Sequence, residues 1–306
     1  MTTEREADLH GWLIIDKPQG VTSARAVAVV KRATGAKIGH AGTLDPLATG
    51  VLPLALGEAT KTVQFATAGL KCYRFRVRWG IGTDTEDSEG AVIAESAARP
   101  DAAAIRAALP AFTGSIRQRP PAYSAIKIAG RRAYALARAG QQPELAERTV
   151  EIVSIELLDA ADPDHAEFVA TVGEGTYIRA LSRDLAARLG TCGHIVALRR
   201  TRVGRFDESR AISLESAAAL GHSLAASEHL LPIETALDDI PALAVTAAEA
   251  ARLRHGQTIL PDDAHERRRL AAIGDGAIVG ATCDSLVVAL ARIEAGGIRP
   301  MRVINR

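Results

Sequence analysis

Between Gly39 and Pro53 the chain reads G-H-A-G-T-L-D-P-L-A-T-G-V-L-P, setting one carboxylate, Asp45, and one imidazole, His40, among three glycines and two prolines. Glycine admits positive φ and close backbone approach, and proline fixes φ. A loop so constrained holds Asp45 in a defined place. From geometry alone, an Asp-Pro turn is the commoner use of that dipeptide. The chemical use is different: a held carboxylate serves as a nucleophile or an electrostatic partner, dividing one hard step into two easier ones.

Other chemistries lack their residues. There is no G-x-x-x-x-G-K-[ST] loop, Gly80-Ile81-Gly82 lacks the third glycine of a dinucleotide turn, and no G-x-S-x-G elbow occurs. The eight histidines show no metal-ligand spacing, and Cys72, Cys192 and Cys283 lie far apart without a zinc or disulfide pattern. A site built here is expected to need no metal, nucleotide or other cofactor. Asp84-Thr-Glu-Asp-Ser-Glu-Gly90 departs from a calcium loop and reads as an acidic surface turn.

Net charge is only +1, but its distribution is uneven. Six basic residues and no acid fall between Ala111 and Gly140: Arg117, Arg119, Lys127, Arg131, Arg132 and Arg138. Eight arginines against three acids fall between Arg179 and Arg210. Cationic segments of this kind serve as phosphate-binding surfaces or as solvated faces. No apolar run approaches the ~18 residues of a membrane span, and the polar, acidic first residues are unlike a signal peptide. A cytoplasmic, soluble protein is expected.

Several elements would position these residues. Trp12–Asp16 reads as a buried strand closed by a Lys17-Pro18-Gln19-Gly20 turn. Ser23 is placed to cap a helix ending at Gly35, and residues 39–57 read as a loop punctuated by glycine and proline. Tyr73, Phe75, Val77 and Trp79 alternate with Arg74, Arg76 and Arg78, giving a strand with one apolar and one cationic face. A short helix follows Asp101, and residues 150–158 and 167–172 read as strands. Ile178, Leu181, Leu185 and Leu189 recur at helical spacing up to Gly190. Strands and helices without strict alternation indicate an α+β fold. Past residue 240, a helix over 247–254 and short strands separated by glycines suggest a small β-rich domain.

The Gly39–Pro53 segment closely resembles the catalytic motif of TruB-type tRNA pseudouridine synthases. Five further stretches resemble that family in its order: Gly11–Gly20 with Lys17-Pro18, Lys71-Cys-Tyr73, Arg119-Pro-Pro-Ala-Tyr123-Ser124-Ala125-Ile-Lys127, Gly175-Thr176-Tyr177-Ile178-Arg179, and Leu198-Arg199-Arg200. The resemblance covers about residues 11–220. It implies a mixed, largely antiparallel sheet in a catalytic domain, 1–239, with a basic RNA-gripping insertion at about 111–148. Residues 240–306 would form a PUA-like RNA-binding domain.

The resemblance also implies roles. Asp45 is the covalent catalyst, with Arg179 as its ion partner, since an opposite charge within ~4–6 Å keeps a desolvated carboxylate ionised. Tyr73 stacks on the target base and assists proton movement. Tyr177 and the backbone of Leu198 contact the uracil, and His40 fills the gap left by the extruded nucleotide. Arg119, Lys127, Arg131, Arg132, Arg199 and Arg200 are expected on the RNA backbone.

The implied activity is isomerisation of uridine to pseudouridine at position 55 of the tRNA T loop, by a monomer needing no obligatory protein partner. Alternatives are a guide-RNA-dependent enzyme acting on ribosomal RNA, a tRNA folding factor whose carboxylate is incidental, and a glycosidase that releases the base. The atom attacked by Asp45, C1′ or C6, and a route opening at C2′ are all left open.

Overall fold

A computed structural model describes residues 9–124, 126–128, 130–138, 141, 145–261 and 264–306. Its principal feature is a large mixed sheet. Four strands lead the chain: β1 (Gly11–Lys17), β2 (Ile38–His40), β3 (Thr49–Leu56) and β4 (Lys71–Trp79). Across the sheet the order is Ile212–Ser213, β1, β3, Gly193–Val203, β4, His165–Val172, Arg148–Asp159 and Gly114–Gln118. Neighbours are antiparallel except at two places, β1 with Ile212–Ser213 and β3 with Gly193–Val203. The fold is α+β, as expected.

β1 is buried on both faces, which is why it reads as an unbroken apolar run. Leu13 and Ile15 join the larger core with Phe75, Val77 and Leu181, while Trp12 and Ile14 join a second core behind the sheet. β4 keeps its predicted alternation, with Tyr73, Phe75, Val77 and Trp79 inside and three arginines outside.

The 39–57 loop is a correction. Its second half is β3, a central strand buried along nearly its whole length. Pro53 hid it, because proline is normally excluded from inner strands. A residue's N–H and C=O point to the same side of its strand, and the Pro53 carbonyl accepts from Ala41 N at 2.9 Å. The missing donor therefore faces Ala41, where β2 has given way to loop, and the ladder forgoes only the bond at its end.

A four-stranded sheet completes the chain, in the order Ala242–Ala244, Ile278–Cys283, Leu286–Glu294 and Gly297–Val303. It carries the expected helix Ala247–Arg254 and an unexpected one, Ala264–Ile273. The latter reads A-H-E-R-R-R-L-A-A-I and shows no apolar stripe, because Leu270 is its main buried anchor. Val287, Leu290 and Ile304 of this region pack into the second core beside Trp12, Val51 and Phe206. Among the described residues, no helix is long and apolar enough to cross a membrane.

Candidate active site

The loop 41–48 that carries Asp45 is held almost entirely through its backbone. Ser23 Oγ accepts from Leu44 N at 2.9 Å and donates to Leu44 O at 3.1 Å. The helix cap expected of Ser23 belongs to Thr22, whose side chain accepts from Arg25 N. Gly20 N donates to Pro46 O at 2.8 Å. The fully buried Lys17 ammonium donates to Pro18 O, Val21 O and Pro46 O. Burial lowers the Lys17 pKa to about 8, partly opposed by the negative charge of Asp45.

Arg200 braces the same loop from β3's other neighbour. Its guanidinium donates to Val51 O and Gly42 O at 2.9 Å each, with a longer contact to Thr43 O. Gly50 has φ +97°, and a Cβ there would lie 2.2 Å from Arg200 O, so no other residue fits that crossing. Gly42, at φ +89°, likewise lies against the guanidinium.

The Asp45 side chain is left for chemistry. Arg179 Nε donates to Asp45 Oδ2 at 2.9 Å. The arginine sits in the first turn of the helix Ile178–Arg188 and is buried. Its Nη1 donates to Thr85 O at 2.7 Å and its Nη2 to Tyr123 O at 2.8 Å. Each of the three guanidinium nitrogens is therefore engaged and the group is oriented, with Asp87 Oδ2 a second carboxylate at 3.7 Å. Asp45 remains 35 % exposed, open to the cleft beside it.

That cleft, of about 360 Å³, is lined by Asp45, Tyr73, Tyr177, Arg179 and Leu198 together with Lys71 and Arg148. The volume falls in the ~300–1,000 Å³ range of small-ligand sites. Lys71 is largely buried, and burial together with the nearby Arg200 charge holds its pKa below the ordinary value. Tyr177 is fixed twice over. Its N–H donates to Gln118 Oε1 at 2.8 Å and its carbonyl accepts from Gln118 Nε2 at 3.1 Å, while the Arg148 guanidinium lies 5.0 Å from its ring centroid. Such a chamber, two aromatic rings and a few fixed polar groups beside the Asp45 carboxylate, suits a single planar base removed from its stack.

Six of the predicted residues thus line the cleft, Arg200 among them, and others do not. His40 lies on β2, paired with Leu54, outside the lining of this cleft. Arg200 is corrected: at 1 % exposure, with its donors spent on loop carbonyls, it is no phosphate contact. Arg199 is bound by Asp16, through two bonds of 3.0 Å, and by Glu208. Arg119 is exposed, with Glu147 at 3.7 Å. The side chains of Lys127, Arg131 and Arg132 lie outside the described ones; their backbones pair as a short hairpin.

The acidic turn is a second correction. It folds inward rather than onto the surface, placing buried Asp87 beside Arg179 and Thr85 O on its guanidinium. Asp45, Asp84, Thr85, Asp87 and Glu89 line a second cavity of about 400 Å³ with Tyr123 and Tyr134. Burial pushes the Glu89 carboxyl up, and the charges of Asp87 and Asp45 add to the shift. Only the cluster of acids pointed to this loop. For Gln118 and Arg148 the sequence carried no signal, since their partners lie 59 and 27 residues away.

Comparison with known proteins agrees with this geometry. The family profile described as TruB family pseudouridylate synthase (N terminal domain) matches residues 30–178, and that described as tRNA pseudouridylate synthase B C-terminal domain matches 179–238. A protein of Nitrobacter winogradskyi named tRNA pseudouridine synthase B is 55% identical over 304 residues, covering 97% of this chain and 83% of its own length. Its namesake in Rhodospirillum rubrum is 52% identical, covering 97% of each chain. Among solved structures, one described as a Cbf5-Nop10-Gar1 complex superposes with a TM-score of 0.74 at 25% identity, over 97% of this chain and 85% of that one. By sequence along most of its length, and by the fold that carries the Asp45 loop, the chain belongs to the TruB family of pseudouridylate synthases.

Proposed function

We propose that this enzyme isomerises uridine to pseudouridine at position 55 in the T loop of tRNA, using Asp45 as the covalent catalyst. The observation that carries the reading is an aspartate on a backbone-clamped loop, paired at 2.9 Å to a buried arginine and opening on a tyrosine-lined chamber of base size. The reaction breaks the N1–C1′ bond, turns the uracil, and joins C5 to C1′. N1 gains a proton and C5 loses one, so no oxidant or reductant is required.

The residues divide the labour. Arg179 keeps the buried end of Asp45 paired and aimed. Tyr73 supplies a face for the base and a hydroxyl for proton movement, while Tyr177 and the Leu198 backbone frame its polar edge. His40 enters the space the nucleotide vacates. Arg119, with Lys127, Arg131 and Arg132 of the 111–148 insertion, holds phosphates, so binding weakens steeply with salt. Residues 1–239 form the catalytic domain, and 240–306 a PUA-like domain that adds RNA contact. The enzyme works in the cytoplasm as a monomer without an obligatory protein partner.

Purified protein is incubated with an unmodified tRNA transcript, and position 55 is read by pseudouridine-specific carbodiimide labelling. The wild-type chain alone converts that position with no change of mass, and Asp45→Asn abolishes conversion while tRNA affinity stays within about threefold. Conversion by Asp45→Asn, or loss of a base from the product, would overturn the reading.

A further inference from the structure

Two arginines one turn apart on the helix Ile178–Arg188 grip the two sides of a single peptide. Arg179 Nη1 donates to Thr85 O at 2.7 Å, and Arg183 Nη1 pairs with the carboxylate of the next residue, Glu86. Glu86 N, in the same peptide, donates to Thr83 O at 3.1 Å. Arg183 is itself fixed, by Asp184 Oδ1 at 2.8 Å and by Arg119 O at 2.9 Å.

The backbone at Glu86 is held against its preference. Its φ is +63°, a region where a Cβ-bearing residue is strained and glycine is at ease. Its side chain is only 13 % exposed. Burial pushes the Glu86 carboxyl up, opposed by Arg183. Local conformation and solvation both argue against glutamate here, so the partner across the gap supplies the reason for it.

We propose that Glu86 and Arg183 form a positioning pair that aims Arg179 at Asp45. The inference rests on the function proposed above and adds a control point to the same site. With the pair intact, the Thr85 carbonyl stays under Arg179 Nη1 and the guanidinium presents Nε to Asp45. Without it the backbone about the 85–86 peptide keeps only Glu86 N on Thr83 O and Ile195 N on Glu86 O, at 3.1 Å each, and it shifts enough to weaken one of the guanidinium's three anchors. Arg179 then swings toward Asp87, already only 3.7 Å away. Because Arg183 also holds Arg119 O, one side chain joins the RNA-gripping insertion to the 84–90 loop, and Arg179 carries the link on to Asp45.

The test uses the full-length protein and compares Glu86→Gly, Glu86→Gln, Arg183→Met and Arg183→Lys. Glycine relieves the strain at this φ, so a merely structural Glu86 predicts a fold at least as stable and full activity. The positioning role predicts a stable Glu86→Gly protein whose single-turnover rate falls about tenfold while its tRNA Kd stays within about twofold. Glu86→Gln and Arg183→Met should fall alike, their combination no further, and Arg183→Lys should recover to within about threefold. Unchanged rates in the single variants, or losses that multiply in the double, would overturn the pair.

A crystal structure of Glu86→Gly without RNA gives a readout independent of turnover. Arg179 displaced from Asp45 toward Asp87 supports the pair, and an unmoved guanidinium refutes it. Should the wild-type chain convert no uridine, the proposed function fails and the structure still decides the pair.

Discussion

Two loops meet at Arg179, and they differ in what their carboxylates do. The loop 41–48 is gripped by its backbone: Ser23 on Leu44, Lys17 and Gly20 on Pro46, Arg200 on Gly42. The loop 84–90 is gripped by its side chains as well as its backbone: Asp84 Oδ1 accepts from Ala91 N, Asp87 Oδ1 from Thr85 Oγ1 and Glu89 N, and Glu86 from Arg183, beside backbone bonds such as Ile195 N to Glu86 O. A loop anchored through its carbonyls keeps its carboxylate available for reaction. One anchored through its carboxylates has spent them, and becomes a cradle for the other.

The strongest way to break this contrast is to remove the grip on the first loop. Arg200→Met takes this donor from the buried Val51 carbonyl and the part-buried Gly42 carbonyl, at ~1–3 kcal/mol each. Denaturant unfolding should therefore show a loss of about 3 kcal/mol or more. A loss below about 1 kcal/mol would mean that water or relaxation replaces the guanidinium.

Lys17 offers a sharper version through pH. Its folded pKa is about 8 against an unfolded 10.5, so between those values the unfolded chain binds more protons and stability rises with pH. The wild-type minus Lys17→Met difference in unfolding free energy should climb across that window, by at most about 1.4 kcal/mol per pH unit, and level off on either side. A flat difference would mean the ammonium is solvated.

Ser23→Ala should cost about 1–2 kcal/mol and lower the rate together with stability, because it frees the residue next to Asp45. On the second loop, Thr85→Val removes one side-chain bond to Asp87 and should cost about 1 kcal/mol or less, with tRNA affinity unchanged. If Thr85→Val proves the more damaging of the two, the division between a reacting loop and its cradle is wrong.

The same division explains what could be read in advance. Backbone-held Asp45 needed glycines and prolines, and those are visible in one dimension. So were β1 and β4, whose apolar residues obey a local period, and the helix Ile178–Arg188, whose leucines do the same. Arg200 and Arg199 looked alike in sequence. Only folding separates the one enclosed by Val51 and Gly42 from the one facing Asp16 and Glu208. Asp87 and Gln118 were illegible for that reason, since a polar residue's burial is decided by partners dozens of positions away, Arg179 for the one and Tyr177 for the other. β3 was obscured by Pro53, and Ala264–Ile273 by a surface so polar that Leu270 is its main buried anchor.

The second core has a practical corollary for anyone cutting the chain near residue 239. Trp12 and Ile14 would lose Val287, Leu290 and Ile304, and Glu58, Lys61 and Glu234 would lose Asn305 N, Val303 O and Arg306. A truncated product should expose an oily seam behind the catalytic sheet and aggregate. The intact chain, with both sheets fused across that seam, should melt in one cooperative transition.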